Sequence, residues 1–171
     1  MPGKRTKQIS RRAGEAIASA ALGTVLLMTG VDAAAQSRAL ERRLESATRV
    51  DCRFTALATG DWSGAEAKAT VTEVEHTAAF FDIDVDGGTA EAEGAFGTTF
   101  IVVRYARGYL HFMQMSDGGP LYLTTVLAQE SGIGRLKAVQ TRHEYLPTAL
   151  PGFTSRPEMY VGDCEVTGSP R

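Results

Sequence analysis

Cysteine is nearly missing from this chain: 171 residues hold only Cys52 and Cys164. No Cys-x-x-Cys spacing exists and no histidine stands beside either cysteine, which argues against a thiolate metal site or a redox motif. Lysine and arginine form no cluster beyond the first 12 residues. The electrostatic footprint of a nucleic-acid binder is therefore missing, as is the polybasic patch that anionic membranes attract. Long apolar runs are also absent. The longest, 16–28, reads AIASAALGTVLLM, well short of the roughly 20 residues a helical span needs. There is no P-loop, no dinucleotide fingerprint and no Gly-x-Ser-x-Gly, so the common phosphate-binding and serine-hydrolase signatures are excluded.

What is present begins with a targeting pattern. Lys4, Arg5, Lys7, Arg11 and Arg12 precede the apolar run, and Ala33-Ala34-Ala35 follows it. A basic stretch, a short apolar stretch and an Ala-x-Ala site predict a cleaved secretory signal over 1–35. Its removal takes five of the 18 basic and two of the 20 acidic residues and leaves a net charge of −5. The expected destination is secreted or periplasmic. In that oxidising setting Cys52 and Cys164 are expected to pair.

The rest reads as all-β. The stretch 98–127, TTFIVVRYARGYLHFMQMSDGGPLYLTTVL, is three apolar β-prone runs split by Ala106-Arg107-Gly108 and by Ser116-Asp117-Gly118-Gly119-Pro120, the pattern of a meander. Upstream, 36–48 carries a short amphipathic helix with Leu40 and Leu44 on one face. Strands are expected over 50–57, 68–74, 77–85, 89–95, 135–145 and 158–166, with the Trp62 stretch 58–66 as a turn. Eight or nine short antiparallel strands in one domain, 49–171, predict an up-and-down barrel, with a β-sandwich as the alternative. The cysteines lie on the first and last strands, so their pairing would close the barrel edge. Gly60-x-Trp62 resembles the opening motif of lipocalins, secreted barrels that bind small apolar ligands; the likeness covers those two residues, and a strand already precedes them here.

The meander strands are apolar on both faces, at Phe100-Ile101-Val102-Val103 for instance. A strand wet on one side should alternate, so a cover is expected: the Leu40/Leu44 helix, the Pro-rich loop around Phe153, or a second protomer in a homodimer. Tyr109, His111, Met113 and Met115 share one face of the central strand. That face is expected to look inward. With Tyr122 and His143 it would then line a site for a small apolar or amphipathic ligand.

Two patterns invite chemistry. Asp82, Asp84, Asp86, Gly87 and Glu93 match D-x-D-x-D-G-x5-E, the calcium-loop spacing, in which three carboxylates converge and a last Glu closes the shell. The favoured reading is instead a strand with Ala79, Phe81, Ile83 and Val85 inward, outward aspartates and an Asp-Gly-Gly turn. β-branched Ile83 and Val85 suit a strand better than a curled loop. Calcium is the one cofactor the sequence admits. Of the three histidines, His76, His111 and His143, the latter two could form an acid/base pair if both pointed inward. The leading expectation is an exported, non-catalytic barrel that binds a small apolar or amphipathic ligand. Its alternatives are a structural or interaction domain with a filled core, an enzyme built on His111 and His143, and a calcium binder.

Overall fold

The computed structural model of the protein describes residues 33–94, 97–115, 120–144 and 156–168. The chain divides into two units, 1–36 and 37–171; the described part of the first, 33–36, is helical. The second unit holds a helix over 37–45 and eight strands. These are β1 (Ala47–Ser63), β2 (Glu66–Asp84), β3 (Thr89–Gly94), β4 (Gly97–Ala106), β5 (Tyr109–Met115), β6 (Leu121–Gly132), β7 (Arg135–His143) and β8 (Glu158–Gly168). Each strand pairs antiparallel with the next in sequence, and β1 pairs with β8, so the sheet is a closed up-and-down barrel.

Cys52 and Cys164 are register partners on the closing seam and are disulfide-bonded, 112 positions apart in sequence. Two positions along β8, Gly162 lies opposite Phe54. A Cβ at Gly162 would run into the Arg53 carbonyl and the Phe54 backbone, so the lack of a side chain lets the two strands approach there.

Two strand readings need correction. The turn expected over 58–66 is confined to Gly64-Ala65: β1 continues through Trp62 to Ser63, and β2 is one strand where two were expected. A bulge explains why the pattern misled, because the register slips between Phe54 and Ala56. An extra residue on one strand breaks the period-2 alternation that marks a strand in sequence. The second correction concerns β2 near its end. Phe80, not Phe81, faces the core, 3% exposed. Asp82 adopts a left-handed φ of 49° and the register slips between Phe81 and Asp84, so Phe80 and Ile83 both turn inward. Aspartate tolerates that conformation better than most residues.

The interior is apolar over most of its height. Val50, Phe54, Phe80, Val103, Leu110, Phe112, Val126 and Leu136 are buried in one cluster. Phe80 and Phe112 stack nearly parallel, centroids 4.1 Å apart. The helix closes the end where β1 begins. Leu44 is fully buried in the core and Leu40 packs against it. Arg43 donates to the carbonyls of Val166 (Nε, 3.1 Å) and Gly134 (Nη2, 2.7 Å). A helix this short needs such docking to persist. Of the expected covers for the meander, this helix caps an end of the barrel and does not cover the outer face of β4–β6. The loop around Phe153 lies outside the described residues.

The inward and outward faces of β5 are the reverse of the expected ones. Leu110 and Phe112 are 0% and 1% exposed, whereas Tyr109 and Met113 are 44% and 38% exposed. Both faces of this strand are apolar, so the sequence held no contrast by which to choose between them. The phase was set by partners: Leu110 and Phe112 pair with buried Val126 and Thr124.

Candidate functional site

At the end opposite the helix the barrel interior turns polar. The inward positions of β7 run Leu136, Ala138, Gln140, Arg142. Those of β8 run Val166, Cys164, Gly162, Tyr160, Glu158. β6 adds Thr124 and Tyr122, and β2 adds His76, the register partner of Phe54. The same alternation that carries apolar residues into the core carries these polar ones inside, near the rim.

They form a connected network. Gln140 Nε2 donates to Thr124 Oγ1 at 2.8 Å, which leaves the Gln140 Oε1 to accept from His76 Nε2 at 2.8 Å. His76 Nε2 therefore carries the proton. The His76 ring lies 4.5 Å from that of Tyr160 and stacks on Phe54. The Tyr160 hydroxyl donates to Glu158 Oε2 at 2.8 Å, and Arg142 Nη1 reaches the same oxygen at 3.4 Å. Arg142 also pairs with Glu144 through Nη2 and sits over the Tyr122 ring. Its Nε is buried with no hydrogen-bond partner among the described residues. Burial alone would lower the Arg142 pKa; Tyr122, Glu158 and Glu144 outweigh that and raise it. The guanidinium thus stays charged inside the barrel.

Tyr160 reports on this environment. Burial first, then the hydrogen bond to Glu158, pushes its pKa up from 10 to about 12. A folded-state pKa above the unfolded value favours folding while the phenol stays protonated. That contribution is complete below about pH 10 and is lost as pH climbs through about 12. Tyr160→Phe is expected to flatten the fall in melting temperature across that window. An alkaline melting profile identical to wild type would refute the assignment.

Of the residues picked out from sequence, Tyr122 alone belongs to this cluster. Tyr109, His111, Met113 and His143 lie on the outer face. His111 Nδ1 contacts Thr125 Oγ1 at 3.0 Å, and His143 Nε2 contacts Thr141 Oγ1 at 3.0 Å. The two histidines are not brought together. The row from His111 through Thr125 meets β7 at Val139, and His143 lies four residues further on, about 13 Å along the strand. That spacing does not support an acid/base pair.

The calcium-pattern residues are exposed and spread along a hairpin. Asp84 Oδ1 accepts from Gly87 N at 2.8 Å within the turn. Glu93 lies opposite Thr98, four residues from Thr89, so extended β3 carries it about 13 Å from the turn. Its carboxylate instead faces the Arg49 sector. Among the described residues no group of three or more His, Cys, Asp or Glu side chains is placed to hold a metal ion.

Sequence reasoning passed over His76, Gln140, Arg142, Glu158 and Tyr160. One signal could have found two of them. Cys164 is buried, and Glu158 and Tyr160 share its parity on β8.

No helix among the described residues is long and apolar enough to cross a membrane. Compared with known protein families, curated proteins and solved structures, the chain has no significant match.

Proposed function

We propose that this chain is an exported, non-catalytic β-barrel whose polar mouth takes up a small amphipathic ligand. Arg142 carries the reading. It is a charged side chain inside a barrel, with a buried Nε–H and no acceptor for it among the described residues. A buried donor left unmade costs free energy, and a ligand oxygen placed there would recover it. The rings of Tyr122 and Tyr160 would meet the apolar part of the ligand. The disulfide and the basic-then-apolar N-terminus support the export half of the reading.

Below the mouth the Phe80–Phe112 stack fills the barrel, so the ligand would sit at the rim and not along the axis. That filled lower half also favours the second reading, an exported interaction domain without a ligand.

A fluorescent fatty acid, competed by dodecanoate, decanol and dodecylamine, separates the two. Wild type is expected to bind the probe saturably, one per chain. Arg142→Lys keeps the charge beside Glu158 and removes the Nε donor; it is expected to weaken binding roughly tenfold, the worth of one charge-assisted hydrogen bond. No saturable binding of any probe would leave the interaction-domain reading.

A further inference from the structure

An arginine holds a carboxylate best with two N–H groups on one edge of the guanidinium. Two other arginines of this chain show which edge that is. Arg49 grips both oxygens of Asp51 through Nε and Nη2, each at 2.7 Å. Arg43 brings the same two nitrogens onto the Val166 carbonyl, at 3.1 and 2.9 Å. In Arg142 this edge is divided. Nη2 is taken by Glu144, and Nη1 reaches Glu158 at 3.4 Å. Nε alone has no acceptor among the described residues. The mouth therefore offers a ligand one N–H and not a fork.

Charge points the same way. Two carboxylates, Glu144 and Glu158, already face one guanidinium, and neither is widely open to solvent. A third carboxylate placed at Nε would stand beside both. The other cations near this mouth among the described residues lie rimward. Arg156 is paired with Asp61 at 3.3 Å. Lys68 is the register partner of Asp61, two positions beyond Thr59, which pairs with Glu158. Its backbone is thus about 7 Å further out along the strand. A cationic head group fails for a different reason. An ammonium has three donors and no lone pair, so it would leave the Nε–H unmade. An uncharged carbonyl meets both conditions: its oxygen accepts one N–H, and it brings no further charge into the barrel, where charge is costly.

We infer that the mouth selects an uncharged acyl group, the carbonyl of an ester or amide, over the corresponding carboxylate, with the Arg142 Nε–H as its donor. The inference rests on the ligand reading above and narrows it to a chemical class. A free fatty acid remains a weaker ligand, held by one oxygen beside two carboxylates.

The stacked Phe80 and Phe112 rings fill the barrel below, so short acyl chains are the suitable probes. Displacement of a neutral naphthylamine dye from the disulfide-bonded protein near neutral pH, backed by direct calorimetric titration, tests the inference. Methyl octanoate and N-methyloctanamide are expected to act at about one-tenth of the concentration that octanoate or octylamine requires. Glu144→Ala frees the Nε/Nη2 edge and removes one negative charge, and in that variant octanoate is expected to overtake the ester. Octanoate or octylamine binding more tightly than the ester to wild type overturns the head-group assignment and leaves the ligand reading standing. So does an ester-to-acid ratio that Glu144→Ala leaves unchanged. Binding of none of the four compounds, by either method, removes the ligand reading itself and this inference with it.

Discussion

Replacing Cys52 and Cys164 together by alanine is expected to cost about 4–5 kcal/mol of stability, the chain-entropy value for a closed loop of roughly 100 residues. The loop in this protein spans 112 positions. For a domain of this size that corresponds to a melting temperature lower by roughly 10–20 °C. The bond sits on the β1–β8 seam, the one strand pairing that joins the two ends of the barrel sequence. Every other pairing links neighbours in sequence and closes a short loop, whereas this one orders nearly the whole domain at once. Opening it would expose two strand edges, which invite association. Calorimetry of wild type, the double variant and the reduced wild type is the measurement. A loss below about 1 kcal/mol would mean that packing and the seam hydrogen bonds hold the barrel closed by themselves.

Phe112→Ala is expected to cost about 3–5 kcal/mol, the range for removing a buried aromatic ring. Phe112 is 1% exposed and stacks on Phe80 at 4.1 Å. Its neighbour Met113 is 38% exposed on the outer face, so Met113→Ala is expected to cost less than about 1 kcal/mol. The pair is a direct assay of which face of β5 looks inward. Chemical denaturation of both variants decides it, and a reversed ranking would restore the inward Tyr109/His111/Met113 face expected from sequence.

That face shows how a sound pattern can leave a binary choice open. In β7 the choice was legible, because Leu136 and Ala138 alternate with Arg135 and Lys137, and only one phase buries the apolar pair. β5 offers Tyr109, His111 and Met113 against Leu110 and Phe112, and either set could face a core. Its outer face carries Tyr109 and Met113, 44% and 38% exposed, so hydrophobicity alone could not tell the two faces apart. The Asp82–Glu93 pattern failed for a related reason. A spacing rule presumes a curled loop, and β3 is extended, which carries Glu93 away from the aspartates.

From sequence alone came the all-β class, the meander, the short helix with Leu40 and Leu44, and the pairing of Cys52 with Cys164. Each rests on local periodicity, turn residues or compartment, which one segment or one residue pair expresses by itself. Tertiary structure decided the rest. Between the barrel favoured from sequence and the sandwich kept as its alternative, the pairing of β1 with β8 decides for the barrel. Bulges at Phe54/Ala56 and at Asp82 reset which residues face in. The polar mouth joins His76 on β2 to Arg142 on β7 and Glu158 on β8, residues 66 and 16 positions apart. Single polar residues on three strands carry no shared signal along the chain. They become a site because the cross-strand register of a closed sheet turns one level of every strand toward one another.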